Sequence, residues 1–173
     1  MKASRHHWRP AYIGIGSNLD DPVAQVRRAF AALQGLQAST FARCSGLYRS
    51  APMGPSDQPD FVNAVAALLT RSDPASLIQI LKNIEDAHGR CRDTPRWGPR
   101  VIDLDLLVLG TLAIDAPPKL QIPHPGIAER NFVLFPLAEI APHLVVPGRG
   151  SVQKLLSSLA EIGKSGSRIE RLE

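Results

Sequence analysis

The chain has 173 residues, 44% of them hydrophobic, enough for one domain to bury a substantial core without disulfides, a structural metal or an obligatory partner. Its two cysteines, Cys44 and Cys91, lie far apart and in no CxxC pairing, which excludes a disulfide framework and a zinc site and fits a reducing cytoplasm. A net charge of +4 points to an anionic partner (nucleic acid, acidic surface or nucleotide), and no stretch has the roughly 20 apolar residues that a membrane helix needs.

Residues 1–10 (MKASRHHWRP) carry charge but no apolar run and are expected to form a loosely attached tail, with 11–173 as a single domain. Ala11–Gly16 is a short apolar run closed by Gly-Ser-Asn, which predicts a buried strand. Asp21-Pro22 predicts a helix start, with Val23, Val26, Phe30 and Leu33 on one face before Gly35 ends it. Strands are expected over about 39–49 and 61–70, separated by a Pro- and Gly-rich loop. Asp73-Pro74 repeats the helix signal, and that helix carries Leu77, Ile80, Leu81 and Ile84 to near Gly89. After an arginine-rich loop, RVIDLDLLVL (100–109) reads as a buried strand cut off by Gly110.

The order βαββαβ predicts an α+β fold, a ferredoxin-like sandwich with two helices on one face of an antiparallel sheet. C-terminal additions follow: a short strand near 111–114, a proline-rich link, a helix near 131–140 and another near 151–161.

Asp103 and Asp105 are the most informative pair. Alternate strand residues face the same way, so these carboxylates point together from Cα atoms about 7 Å apart, within an apolar run. Unbalanced, they would destabilise the strand by several kcal/mol. Their spacing suits a pair of Mg²⁺ ions bridging polyphosphate oxygens, the alternative being a salt-bridged pair on an exposed strand face. Arg90, Arg92, Arg96 and Arg100 crowd the loop that leads into this strand, each offering a planar fork to phosphate oxygens. A basic loop beside an acidic strand is the layout that a metal–nucleotide complex requires. Gly14–Leu19 lacks the last glycine of a dinucleotide fingerprint, and no GxxxxGK[ST] loop occurs, so ATP would be held in neither of those ways. Trp97 sits in a polar loop as a candidate stacking lid, and Phe61, Asn63 and Phe132 are compatible with a pocket for a flat heterocycle.

Four ordered blocks, YIGIGSN (12–18), GPSDQPDFVN (54–63), RWGPRVIDLD (96–105) and IPH (122–124) with Arg130 and Phe132, carry a family resemblance. From Ala11 to about Pro147 the chain resembles the 6-hydroxymethyl-7,8-dihydropterin pyrophosphokinases of folate biosynthesis. The resemblance implies transfer of the β,γ-diphosphate of ATP to the pterin hydroxymethyl oxygen, with release of AMP. It implies two Mg²⁺ ions held by Asp103 and Asp105, with Arg90 and Arg92 also catalytic. The nucleotide would meet Glu85, Arg92, Trp97, Arg100, Lys119, Gln121, His124 and Arg130. The pterin would meet Ser50, Ala51, Met53, Phe61, Asn63, Trp97 and Phe132. The partners would be the two small substrates, with neither nucleic acid nor membrane, in a cytoplasmic monomer. The loops at 51–60 and 90–99 would serve as lids. Ser50-Ala51, Phe61, Lys82 and Gln121 depart from the residues usual in the family.

An RNA-binding module of the same strand order would need stacking aromatics and an RNP1-like sequence; the central strands offer only Tyr48 and Phe61, and no RNP1-like sequence occurs. Nucleotidyl transfer, γ-phosphoryl transfer and a catalytically silent relative are the remaining alternatives. The nucleotide product separates the first two from pyrophosphate transfer, and the intact Asp pair and arginines speak against the third.

Overall fold

The chain runs β1 (Arg9–Ser17), α1 (Pro22–Gln34), β2 (Ser39–Cys44), β3 (Tyr48–Ser50), β4 (Phe61–Thr70), α2 (Pro74–Ala87), β5 (Asp103–Leu109), β6 (Ile114–Ala116) and β7 (Leu120–Ile122). It continues through α3 (Asn131–Ile140), β8 (Val145–Val146), β9 (Gly150–Ser151), α4 (Val152–Glu161) and β10 (Ile169–Arg171). The computed structural model describes residues 7–91, 97–117, 120–161 and 168–172. Both Asp-Pro signals start helices: Asp21 accepts a hydrogen bond from the Ala24 N–H, and Asp73 accepts one from the Ser76 N–H, each followed by proline at the first helical position.

β1 is central, antiparallel to β4 on one side and β5 on the other; β4 also pairs antiparallel with β2 and β3, and β10 pairs with β3. One row of directly opposed residues crosses five strands: Arg171, Tyr48, Asn63, Gly16 and Asp103. That row carries the chemistry described below. Because opposed residues in antiparallel strands share a face, everything on it is presented to the same side of the sheet.

The opposite face is a conventional apolar layer. Ile13, Ile15, Ala64, Ala66, Leu68, Leu104 and Leu106 pack against Val26, Ala29 and Leu33 of α1 and Leu77 and Leu81 of α2. On the near face Val65, Ala67, Leu107 and Val108 meet Val133, Leu134 and Leu137 of α3 and Val152 and Leu159 around α4. A bulge where β1 passes Tyr12 and Ile13 lets Leu107 and Val108 both join this second layer. Each fully buried Leu or Ile contributes about 1.5–3 kcal/mol, so α3 is anchored firmly enough to fix what its N-terminus presents.

Several expectations need correction. The helices expected near 131–140 and 151–161 form as α3 and α4, and α3 covers the second face of the sheet, which is why β4 is buried almost throughout. The strand expected over 39–49 is broken into β2 and β3, because Ser45 turns inward, its hydroxyl accepting the Val65 N–H and its own N–H donating to the Val65 carbonyl. The strand expected from Arg100 starts at Asp103, since the Arg100 carbonyl instead accepts the Asn18 N–H and its own N–H donates to the Asn18 side-chain Oδ1. The strand near 111–114 forms at Ile114–Ala116. Arg9 and Pro10 belong to the sheet rather than to a tail, opposite Thr70 and Leu69, and Trp8 stacks under the Arg71 guanidinium at 4.5 Å. No helix among the described residues is long and apolar enough to cross a membrane.

Candidate active site

On the face toward α3, β1 presents Gly14 and Gly16 in place of side chains, and this leaves a cavity of about 320 Å³ beyond the N-terminal end of the helix. A Cβ at Gly16 would stand 3.4 Å from the Asn63 Oδ1, and one at Gly14 would stand 3.2 Å from Leu107. The cavity floor therefore owes its depth to the absence of side chains there. Asp103, opposite Gly16, and Asp105, opposite Gly14, rise along one wall.

That wall is dense in charge. Asp103 is gripped from both sides: Arg90 Nη1 lies 2.7 Å from its Oδ1 and Arg100 Nη1 lies 2.7 Å from its Oδ2. Arg90 also donates to Glu85, whose Oε1 accepts the Leu104 N–H at 2.7 Å. Glu85 is 3% exposed and does not line the cavity; burial pushes its carboxyl up to about 7 against the pull of the Leu104 N–H and Arg90. It acts from behind, fixing Arg90 and the start of β5.

Asp105 is less well compensated. Its Oδ2 lies 3.6 Å from His124 Nε2 and 3.7 Å from Arg130 Nη1. Although 38% of its side-chain surface is open, that surface faces the confined cavity, and burial, then the neighbouring Asp103 charge, push the carboxyl up to about 6. His124 is pushed down to about 4 by burial and by Arg130, so it is neutral. Its Nδ1 accepts the Gly126 N–H at 3.0 Å, which leaves the ring proton on Nε2, facing Asp105.

The other wall is flat and polar-edged. Asn63 donates from Nδ2 to the Ser50 Oγ at 3.0 Å and to the Tyr48 carbonyl at 3.3 Å, which turns its Oδ1 toward the cavity as an acceptor. Ser50, Ala51, Met53, Phe61 and Phe132 line the same region. The Arg130 guanidinium lies 5.5 Å from the centroid of the Trp97 ring and 6.0 Å from that of Phe132, so one cation holds two aromatic faces beside the cavity.

Two loops meet over this space. Asn18 donates to Gln58 Oε1 and to the Pro59 carbonyl, both at 3.0 Å, while its Oδ1 accepts the Arg100 N–H at 2.8 Å. Gln58 in turn donates to the Trp97 carbonyl at 2.8 Å. Gly54 approaches Trp97 so closely that a Cβ would lie 2.5 Å from the Trp97 Cβ, and Trp97 itself has φ +67°.

Of the residues singled out in the sequence, the cavity brings together Arg90, Arg100, Asp103, Asp105, His124 and Arg130 with Ser50, Ala51, Met53, Phe61, Asn63, Trp97 and Phe132. Glu85 stands behind it. Gln121 is not among its lining residues and pairs with Asp115 at 2.9 Å on the β6–β7 hairpin. Arg92, Arg96 and Lys119 lie outside the described residues. Sequence reasoning missed Gln58 and Gly54 as loop contacts, although both stand in the GPSDQPDFVN block, and it missed Glu139 and Arg171 altogether.

Residues 12–142 match the family described as 7,8-dihydro-6-hydroxymethylpterin-pyrophosphokinase (HPPK). The 2-amino-4-hydroxy-6-hydroxymethyldihydropteridine pyrophosphokinase of Pseudomonas aeruginosa is 44% identical over 147 residues, covering 85% of this chain and 90% of that protein. The enzyme of the same name from Haemophilus influenzae is 42% identical over 151 residues, covering 87% and 93%. The crystal structure of Plasmodium falciparum HPPK-DHPS wild type with STZ-DHP superposes with a TM-score of 0.73 at 13% identity, which speaks for the fold alone. This chain, of which 94% is matched, spans 45% of that longer one. With the acidic strand, the arginines and the aromatic-walled cavity in place along the matched residues, the chain belongs to the 7,8-dihydro-6-hydroxymethylpterin-pyrophosphokinase family.

Proposed function

We propose that the charged wall of the cavity receives the phosphates of ATP and the flat wall receives the dihydropterin, with Asp103 and Asp105 holding two Mg²⁺ ions where the walls meet. The activity is that of the family: pyrophosphate passes from ATP to the hydroxyl of 6-hydroxymethyl-7,8-dihydropterin, giving the pterin diphosphate and AMP. The observation that carries the residue assignment is that the Asp pair, three arginines and the Asn63 wall line one cavity. The strand order β3-β4-β1-β5, with α1 and α2 on one face, supports a ferredoxin-like plan for the sheet.

The donor set suits magnesium. Among the described residues no three His, Cys, Asp or Glu side chains form a closed metal cluster, and a pair of carboxylates completed by substrate phosphates is the arrangement that Mg²⁺ favours. Asp105, pushed up to about 6 by burial and by Asp103, has a negative charge only partly offset by Arg130, which a divalent cation would relieve. When bound, Mg²⁺ neutralises phosphate charge and lowers the pKa of a coordinated hydroxyl.

The protein's own groups supply position and charge. Arg90 and Arg100 hold Asp103 in place while their remaining N–H groups are available to phosphate oxygens; Arg130 and the neutral His124 Nε2–H add donors beside Asp105. Asn63 Oδ1 accepts from the donor edge of the heterocycle, and Phe132 and Trp97 confine its faces. Orientation of this kind, with little covalent participation by the protein, is how phosphoryl-type transfer is accelerated. Arg92 and Lys119 are proposed nucleotide contacts on the sequence resemblance alone, while Glu85 is better placed to orient Arg90.

Titration of the protein with Mn²⁺ in the presence of a non-hydrolysable ATP analogue tests the metal assignment. Two ions per chain in the wild type, with loss of binding in Asp105→Asn, is the expected result; one ion, or unaltered binding in that variant, would contradict it.

A further inference from the structure

The face of Asn63 that meets the cavity depends on contacts that leave the cavity altogether. Its two donors are spent on Ser50 Oγ and the Tyr48 carbonyl, both on β3. β3 is three residues long, follows the break at Ser45, and leads directly into the loop at 51–60. Something must hold so short a strand in register.

That role falls to Glu139, near the end of α3. Its carboxylate accepts the Gly46 N–H at 3.1 and 3.2 Å, the Tyr48 hydroxyl at 2.6 Å and an Arg171 guanidinium N–H at 3.1 Å. Arg171 belongs to β10, which pairs with β3 through Ile169 opposite Ser50 and Arg171 opposite Tyr48; Leu172 N–H then donates to the Leu47 carbonyl at 2.7 Å. Glu139 thus ties β3 and its neighbour β10 to the helix whose first turn carries Phe132. The two walls of the heterocycle site are set against one another by a single rigid element anchored in the core.

We infer that Glu139, with Tyr48 and Arg171, is a positioning clamp for the heterocycle wall, so that the C-terminal strand β10 is a working part of the substrate site. None of the three lines the cavity, and they act through Ser50 and Asn63. This inference rests on the assignment of the Asn63 wall to the pterin. It places the effect in pterin affinity and spares the phosphate side, whose residues lie on β5, in the loop before it and in the segment from β7 to the first residue of α3. A purely structural role would instead lower thermal stability and leave both ligand affinities alone.

The test measures dissociation constants for the dihydropterin and, separately, for a Mg²⁺-bound non-hydrolysable ATP analogue, at a temperature where thermal melts show each variant folded. Glu139→Ala should weaken pterin binding roughly tenfold, the scale of one lost hydrogen bond to a charged group, and leave nucleotide binding within about twofold. Glu139→Gln should recover part of the loss, because its amide oxygen still accepts from Gly46 or Tyr48. Combined with Asn63→Ala, Glu139→Ala should add almost nothing, since it acts through that amide. Tyr48→Phe and Arg171→Ala should shift pterin binding in the same direction by smaller factors, and they decide the matter on the same readouts if Glu139→Ala fails to fold. Unchanged pterin affinity in the Glu139 and Tyr48 variants, equal loss for both ligands, or full additivity with Asn63→Ala would overturn the clamp. If Asn63→Ala itself leaves pterin binding intact, the wall assignment fails; if it weakens binding while Glu139→Ala leaves it unchanged, only the clamp fails.

Discussion

Asp103 has an arginine nitrogen 2.7 Å from each of its carboxylate oxygens, whereas Asp105, facing the same cavity two residues along β5, has no described basic nitrogen closer than 3.6 Å. One strand therefore presents a tightly paired and a loosely paired carboxylate side by side. The first is held in place by its two arginines, and the second carries a charge that burial and Asp103 disfavour.

Asp105→Asn should abolish most of the activity, by roughly a thousandfold, as expected for lost electrostatic stabilisation of a charged transition state. Its effect on stability should have the opposite sign. A carboxyl pushed up to about 6 binds protons more readily in the folded than in the unfolded state, so it lowers stability progressively as pH rises from about 4 to about 6. In chelator, the variant should therefore melt higher than wild type at pH 7.5 and equally below pH 4. Calorimetry at the two pH values checks this, and a lower melting temperature at pH 7.5 would sink it.

Asn63→Asp preserves shape but replaces the donors with an acceptor facing Ser50 Oγ and the Tyr48 carbonyl. The new carboxylate would meet the Tyr48 carbonyl lone pair at close range. Pterin affinity should fall by roughly ten- to a hundredfold, with nucleotide affinity nearly unchanged. Fluorescence titration with each ligand separates the two; parallel losses would mean that Asn63 serves the cavity as a whole.

Gly54→Ala should push the two cavity loops apart, because the added Cβ would fall 2.5 Å from the Trp97 Cβ and 2.7 Å from its carbonyl oxygen. With core packing untouched, the melting temperature should change little while KM rises for pterin and Trp97 emission shifts. Steady-state kinetics beside an emission spectrum tests it, and wild-type KM with an unshifted spectrum would show that the close approach is dispensable.

Glu139 supplies a second pH dependence of opposite sign. Burial works to raise its carboxyl, but the hydrogen bonds from Tyr48, Gly46 and Arg171 outweigh that and hold it below its ordinary value of 4.5. The contribution is therefore fully present above the unfolded Glu range and is lost as pH falls through the folded value. Melting curves should show Glu139→Gln less stable than wild type at pH 7, with the gap closing in acid; a gap that persists below pH 3 would point to packing rather than charge.

The parts of this arrangement that were legible in the sequence are those written in local pattern. Period-two alternation placed Asp103 and Asp105 on one face, and Asp-Pro followed by helical spacing located α1 and α2. Long-range choices left no such mark. β10 is three residues with no periodic signature, and its pairing with β3 depends on tertiary contacts far along the chain. Glu139 reads as an ordinary polar residue near the end of an apolar helix until Tyr48 and Gly46 are brought beneath it. Glu85 and Gln121 fell in plausible positions along the sequence, yet one is buried behind Arg90 and the other faces Asp115, because side-chain direction at those points is set by neighbours on other elements.

The most direct measurement is the identity of the nucleotide left after incubation with ATP, Mg²⁺ and 6-hydroxymethyl-7,8-dihydropterin, resolved by chromatography beside reactions lacking pterin or metal. AMP formed only when both are present, in step with a pterin carrying two phosphates, is the expected result. ADP, or AMP formed without pterin, would contradict pyrophosphate transfer at this site.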